Sequence, residues 1–200
     1  MCCSRCRCCG WPGQSERLAH YGVVRVAGGE GVLVGRIDVG EHDWSGFGCG
    51  VSELDAWLRD EAVAADRRPG SRVLVATVAG RVVGCVQLSA LQVEASSDGP
   101  VSVGEGARPT PIGAVLISRL GVDRAWQRRG VAGVLGWHAG VLAVAVAVGT
   151  RARLLVVCSE GDQQFGVRLG FWRLAGHPGW GFLPIQDVQA TIAAAEAGGR

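Results

Sequence analysis

The chain has 200 residues and a formal net charge of +2 at pH 7, a length that suits one domain with short tails and a sizeable core. Hydrophobic residues make up 48% of it and charged residues 19%, which excludes collagen, coiled coils and wholly disordered chains. Basic and acidic residues number 20 and 18, so any site for a polyanion must be a local patch.

The N-terminal segment, residues 1–29, shows little periodicity and holds most of the cysteines. We expect a disordered tail or a mis-assigned start. Cys3, Cys6 and Cys9 have close spacing, but adjacent cysteines crowd a tetrahedral site and no second ligand pair follows, so no metal site is predicted. No apolar stretch typical of a signal peptide follows them, and no disulfide framework spans the domain. Both observations predict a cytoplasmic protein.

The predicted domain runs from residue 30 to residue 188 and precedes an Ala/Gly-rich tail at 189–200. Ser52 and Asp55 have the spacing of a capping box at the start of the first helix. Residues 94–111 are rich in Gly, Pro and Ser, which predicts a loop. Strands are predicted at 32–37, 73–78, 82–91, 115–122, 152–158, 171–174 and 180–185, a long helix from about Gly130, and a short helix that ends near Gly170.

This order of elements predicts an α/β fold. Its sheet is mixed and mostly antiparallel, has six to seven strands flanked by helices, and contains one parallel step across the long apolar helix. We expect the functional site at that parallel step.

The long helix raises a second possibility, because residues 130–150 are uncharged and long enough to cross a bilayer. The segment is, however, rich in Gly, Ala and Val, and His138 lies near its middle. Small residues also suit a helix that packs closely against a sheet. We therefore predict a buried helix and no membrane association, with His138 packed rather than catalytic.

A candidate anion site lies between the strand at 115–122 and the long helix. Gln127, Gly130 and Ala132 give the spacing Q-x-x-G-x-A, and Arg128 and Arg129 lie within it. Small residues let an anion approach the backbone, and the helix N-terminus directs free N–H groups toward it. A pyrophosphate fits this pattern.

These residues resemble the signature of the GNAT superfamily of N-acetyltransferases, Q/R-x-x-G-x-G/A, which binds the pyrophosphate of acetyl-CoA. Three more segments are similar to the branch of tRNA-acetylating toxins of type II toxin-antitoxin systems. They are residues 47–58 (FGCGVSELDAWL), 118–123 (SRLGVD) and 181–188 (GFLPIQDV).

The resemblance implies acetyl-CoA as the cofactor and the amino group of aminoacyl-tRNA as the acceptor. It also implies a ribbon-helix-helix antitoxin and a homodimer. Within the site it implies that Leu120 and Val122 offer backbone N–H groups where the strand splays from its parallel neighbour. It further implies that the cofactor's pyrophosphate is held by Gln127, Arg128, Arg129, Gly130, Val131 and Ala132.

Two expectations concern the second substrate and the proton donor. Three arginines, Arg67, Arg68 and Arg72, follow the first helical pattern and either contact RNA phosphates or are simply solvated. The family's general acid is a tyrosine in F-Y-x-x-x-G-F, but here its position is Gly166. The substitutes within plausible reach are Cys158 and Asp162, with Ser159 and Glu160 beside them.

The sequence thus supports three functions. The first is a toxin-like acetyltransferase of aminoacyl-tRNA whose activity is impaired because Gly166 replaces the tyrosine. The second is an inactive relative that binds CoA or a partner, and the third is an acetyltransferase of a small-molecule amine.

Overall fold

The computed structural model describes residues 20–94, 111–158, 166–167, 170–173 and 179–198. These residues form one sheet of eight strands in the order β1-β2-β3-β4-β5-β6-β8-β7. Every neighbouring pair is antiparallel except β5 and β6, which are parallel. The strands are β1 (His20–Arg25), β2 (Gly31–Arg36), β3 (Ser71–Val78), β4 (Arg81–Glu94), β5 (Pro111–Val122), β6 (Leu154–Cys158), β7 (Trp172–Arg173) and β8 (Trp180–Pro184).

Helices cover both faces of the sheet. One face packs against α1 (Ser52–Asp60) and α2 (Ala62–Arg67), with Trp57 and Leu58 buried beside Val73 and Val75. The other face packs against α3 (Val131–Thr150) and α4 (Ile185–Gly198). The alternation of side chains along each strand therefore divides the core into two apolar layers.

The predicted α/β fold with a mixed, mostly antiparallel sheet is confirmed. The sheet has more strands than the six to seven expected, because β1 lies inside the segment assigned to the N-terminal tail and pairs with β2. The predicted tail at 189–200 is also mostly α4, whose Ile185 and Val188 are buried. The predicted Cys-rich stretch before residue 20 and the loop at 95–110 lie outside the described residues.

The apolar helix α3 is long and apolar enough to span a membrane by composition, with a mean hydropathy of 2.0 and 39% of that window buried. Its buried side faces the sheet and α4, as expected for a helix with small residues. A Cβ added to Gly140 would lie 3.2 Å from Val188 Cγ1, so the glycine lets α3 and α4 approach closely. His138 is buried, and its Nδ1 lies 2.7 Å from the Val134 carbonyl. The predicted packing role of His138 agrees with this placement.

Candidate active site

The sheet opens between its two parallel strands. Pairing of β5 with β6 runs from Ala114 and Leu154 to Ile117 and Val157 and then stops. Beyond that point β5 continues to Val122, whereas β6 ends at Cys158. Within the described residues, the side of β5 away from β4 therefore has no paired strand beyond Ile117. We call this opening the cleft, and it lies where the sequence predicts the functional site.

Backbone direction in β5 places two N–H groups at this cleft. Asp123 donates its N–H to the Val83 carbonyl of β4 at 3.0 Å, and the Gly121 carbonyl also faces β4, 3.3 Å from the Cβ position of Gly84. Because successive residues of a strand direct their backbone groups to opposite sides, the N–H groups of Leu120 and Val122 face away from β4. The structure thus brings both predicted residues to the cleft.

The loop that follows β5 leads into the start of α3. A short 3₁₀ turn, Arg124–Trp126, begins with the Asp123 carboxylate accepting the Ala125 N–H at 2.9 Å. Arg128 and Gly130 then take left-handed backbone angles, with φ values of 61° and 94°. Val134 donates the first intrahelical bond, to the Gly130 carbonyl at 3.1 Å. The N–H groups of residues 131–133 therefore have no acceptor within the helix.

A diphosphate fits this turn. Apart from adjacent residues and the helix's own backbone, no heavy atom of the protein lies within 4 Å of the Cβ positions of Gly130 or Gly133, so an anion can approach the backbone where the positive end of the helix dipole lies. Arg128 is exposed, and no carboxylate within the described residues pairs with it. The predicted residues Arg128, Gly130, Val131 and Ala132 are together at this turn.

Gln127 and Arg129 have other contacts. The Gln127 side-chain amide donates to the carbonyls of Cys49 at 2.8 Å and Val122 at 3.1 Å. Its side chain thus ties the loop to β5 instead of facing the helix N-terminus. Arg129 lies 4.9 Å over the Trp126 ring and pairs with Glu30 at 3.1 Å. These contacts fix the loop, and they leave Arg128 as the less restrained cation.

The segment before α1 supports β5 from the opposite face. The predicted capping box is wrong: Val51 precedes the helix and no side chain caps it. Asp55 instead accepts the Cys49 N–H at 2.8 Å. Burial acts to raise the pKa of Asp55, but hydrogen bonds from Cys49 and Gly50 outweigh it and lower that pKa. The resulting turn fixes the Cys49 carbonyl that Gln127 binds.

Gly121 shows why α1 lies so close to β5. A Cβ at this position would overlap Leu54 Cδ2 and lie 3.6 Å from Cys49 Cβ. A side chain there would require the Leu54 side chain of α1 to shift. The segment 47–58 therefore acts as a support for the cleft strand.

The position of the family tyrosine, Gly166, lies beside the cleft. Gly166 is helical and buried, and a Cβ on it would lie 3.1 Å from Val157 Cγ1 and 3.6 Å from Phe171 Cβ. Phe171 donates to the Gly166 carbonyl at 2.9 Å and Gly170 to the Val167 carbonyl at 3.0 Å, the pattern of a Schellman helix end. The one tyrosine of the chain, Tyr21, is in β1 at the far edge of the sheet.

Comparisons with known proteins decide the family. No family model matches the chain. The tRNA-acetylating toxin of Mycobacterium tuberculosis is 34% identical over 152 residues, which are 75% of this chain and 90% of that protein. The chain belongs to the family of tRNA-acetylating toxins.

Several solved structures share the fold of this chain. AtaT complexed with acetyl-methionyl-tRNAfMet superposes with a TM-score of 0.67 at 22% identity, covering 80% of this chain and 99% of that one. AtaTR bound with acetyl-CoA superposes with a TM-score of 0.69 at 22% identity, covering 80% of this chain and 98% of that one. A tyrosine-to-phenylalanine mutant of KacT superposes with a TM-score of 0.69 at 19% identity, covering 80% of this chain and 98% of that one.

Within this toxin fold, the predicted substitutes for the tyrosine are only partly described. Cys158 is half-buried at the end of β6, directly at the cleft. Asp162, Ser159 and Glu160 lie outside the described residues. Within the described part of the chain, no cluster of three or more His, Cys, Asp or Glu side chains can hold a metal ion.

The predicted RNA-contacting arginines lie at the end of α2 and the start of β3. Arg67 and Arg68 are exposed. Arg72 lies 3.6 Å from the buried carboxylate of Asp66, which also accepts from Arg36 at 2.5 Å. Arg72 is thus partly committed to a structural ion pair, and Arg67 and Arg68 remain available to a ligand.

Proposed function

We propose that the protein is an acetyl-CoA-dependent N-acetyltransferase of the toxin type, with the amino group of aminoacyl-tRNA as acceptor. The observation that carries this proposal is the cleft between β5 and β6, which opens beside the N-terminus of α3. The names of its relatives support it: one is a tRNA-acetylating toxin, and AtaT has been solved with acetyl-methionyl-tRNAfMet.

The turn before α3 would hold the pyrophosphate of acetyl-CoA. The free N–H groups of residues 131–133 donate to the phosphate oxygens, and Arg128 adds positive charge. Gly130 leaves space for the close approach. Gln127 takes part through the shape of the loop, since its side-chain amide holds Cys49 and Val122 in place.

The cleft itself would orient the reacting group. Acetyl-CoA supplies an acetyl thioester. The N–H groups of Leu120 and Val122 would bind the pantetheine arm and polarise the thioester carbonyl, where negative charge develops during attack by the amine. Gln127 binds the Val122 carbonyl and Asp123 donates its N–H to Val83, so the Val122–Asp123 peptide group, next to the one that carries the Val122 N–H, is held in place before a substrate binds.

Proton transfer is the weak part of the site. The attacking amine loses a proton and the leaving thiolate gains one, and a missing general acid costs about 10² to 10⁴ in rate. Gly166 offers no side chain for this step. Cys158 and Asp162 are the residues proposed to replace the tyrosine, with solvent as the remaining proton source.

The acceptor RNA would contact the exposed arginines beside α2. Arg67 and Arg68 contribute positive charge there. Arg72 adds a third positive charge, although it also forms an ion pair with Asp66. A ribbon-helix-helix antitoxin and a homodimer, both from the family resemblance, and a cytoplasmic location, from the cysteine pattern of the sequence, complete the proposal. The structure of AtaT bound to the C-terminus of the antitoxin AtaR supports an antitoxin partner.

One observation favours a second function, a CoA-binding relative with little transferase activity. The buried Gly166 supplies no phenol hydroxyl, and Val157 lies next to the point where a side chain at residue 166 would begin. Induced expression of the chain, with mass spectrometry of the tRNA pool, separates the two functions. N-acetylated aminoacyl ends with weak growth inhibition support the acetyltransferase, and an unmodified pool supports the binding protein. An acetyltransferase of small-molecule amines is the remaining alternative and would also leave the pool unmodified.

A further inference from the structure

Arg119 is in the part of β5 that borders the cleft, and its guanidinium is held in one orientation. Its Nη1 donates to Gln87 Oε1 at 3.0 Å, and its Cζ lies 4.8 Å over the Trp57 ring. Gln87 is itself buried and donates from Nε2 to Ser71 Oγ at 3.1 Å. The row Arg119, Gln87 and Ser71 crosses three neighbouring strands, so the cation is pre-oriented before any ligand binds.

A β-bulge determines which face of the sheet Arg119 occupies. Leu88 pairs with Ile117 and Gln87 pairs with Arg119, so no residue of β4 lies opposite Ser118 in the register. Before the bulge, Ile117 belongs to the core under α3. The extra residue reverses the alternation, and Arg119 turns to the face of α1, where Trp57 lies.

This placement separates Arg119 from the proposed pyrophosphate site. The N-terminus of α3 belongs to the opposite face of the sheet, and β5 lies between the two. Within the described part of the chain, no carboxylate lies within ion-pair distance of Arg119. A fixed, partly exposed cation next to the cleft, on the side that the pyrophosphate does not use, is available to the second substrate.

We infer that Arg119 binds the phosphodiester next to the aminoacylated 3′ end of the acceptor RNA and so positions the amine at the cleft. Gln87 acts as a positioning residue, because it fixes the guanidinium without contacting the RNA. A guanidinium has five donors in a planar arrangement, of which Gln87 uses one, and the others suit a phosphodiester. This inference rests on the proposed aminoacyl-tRNA acceptor.

The test compares two acceptor mimics with the full-length chain. One is an RNA minihelix whose 3′ end carries an amide-linked aminoacyl group, and the other is the corresponding aminoacyl-aminonucleoside without phosphate. Arg119→Gln is expected to weaken minihelix binding about tenfold and to lower the slope of log K against log salt by about 0.7 to 0.9. Nucleoside binding and acetyl-CoA binding should stay unchanged.

Two further variants distinguish a binding role from a structural one. Gln87→Leu should weaken minihelix binding less than Arg119→Gln does, because the cation is kept but is no longer fixed. Arg153→Gln is the matched control, since Arg153 is exposed at the other end of β6 and its loss should change neither ligand. Equal losses for minihelix and nucleoside in Arg119→Gln would show a structural role and overturn the inference.

The outcomes also separate this inference from the proposed function. If the unsubstituted protein binds the minihelix and Arg119→Gln binds it equally well, the inference is overturned and the proposed acceptor stands. If the unsubstituted protein binds acetyl-CoA but not the minihelix, the proposed acceptor fails and the inference fails with it. If Arg119→Gln weakens binding of an acidic peptide and leaves the minihelix unaffected, Arg119 serves a protein partner and the RNA assignment is overturned.

Discussion

Ile117 of β5 and Val157 of β6 form the last paired position of the two parallel strands. The same Val157 has its Cγ1 3.1 Å from the Cβ position of Gly166, where the sequence resemblance predicts a tyrosine. The point at which the sheet opens and the predicted tyrosine position therefore meet at one residue. A side chain added at Gly166 would start beside the cleft.

Restoring the phenol should raise activity. Gly166→Tyr places a hydroxyl beside the cleft, and acetyl transfer should rise by about 10². Removing a glycine from a helix favours folding by roughly 0.5 to 1 kcal/mol, but crowding against Val157 costs about 1 to 3 kcal/mol. We expect a net loss of about 1 kcal/mol in the free energy of unfolding.

The matched control for this variant is Gly166→Phe, which adds the ring without the hydroxyl. It should show the same stability loss in denaturant unfolding and no gain in rate. Equal rates for the two variants would contradict the role of the phenol. A folded Gly166→Tyr protein that binds acetyl-CoA and transfers no faster than the parent would favour the binding-only function.

Acetyl-CoA binding should depend on the turn before α3. Gly130 has a φ of 94° and open space around its Cβ position, so Gly130→Glu adds strain and a negative charge where the anion binds. Calorimetry should show micromolar affinity, about −8 kcal/mol, in the parent and no binding in the variant. Gly149→Glu, also in open space but at the other end of α3, should bind like the parent.

Asp66 should be important for stability. Its buried carboxylate accepts the Val73 N–H at 2.8 Å and the Arg36 Nε at 2.5 Å. Asp66→Ala leaves the buried N–H of Val73 without its acceptor, so we expect a loss of about 2 kcal/mol in denaturant unfolding. Asp60→Ala, at an exposed position of α1, should change stability by less than about 0.5 kcal/mol.

Two buried thiols predict a loss of stability in alkali. Burial raises the pKa of Cys85 to about 12 and that of Cys49 to about 11, above the usual 9.0. At a pH above the usual thiol pKa and below the raised pKa of the folded protein, the unfolded chain releases thiol protons that the folded chain keeps. The free energy of unfolding therefore falls as pH rises from 9 toward 11. The fall should be shallower in Cys85→Ala. An identical slope in parent and variant would contradict the assignment.

The sequence predicted the parts of the site that depend on local pattern. A strand, a glycine turn and an apolar helix are visible in the residues from Val115 to Leu142, because hydrophobic period and glycine positions are local properties. The Ala-rich composition of residues 189–200 predicts a tail, but these residues continue the helix α4, in which Ile185, Val188 and Ile192 have helical spacing.

Features that depend on contacts between distant segments were not predictable in this way. Gln127 was expected at the pyrophosphate, but its amide is bound by carbonyls of Cys49 and Val122. The face of Arg119 follows from the bulge at Ser118, which appears only when β4 and β5 are paired. Both features depend on how segments far apart in the sequence pack or pair, and a local pattern does not specify that.

The most direct test of the acetyltransferase proposal is transfer of a labelled acetyl group from acetyl-CoA to charged tRNA by the purified full-length chain. We predict slow but measurable N-acetylation of the aminoacyl end, absent with uncharged tRNA and absent with Gly130→Glu. A folded protein that binds acetyl-CoA and gives no labelled aminoacyl-tRNA over hours, with or without Gly166→Tyr, would contradict the account.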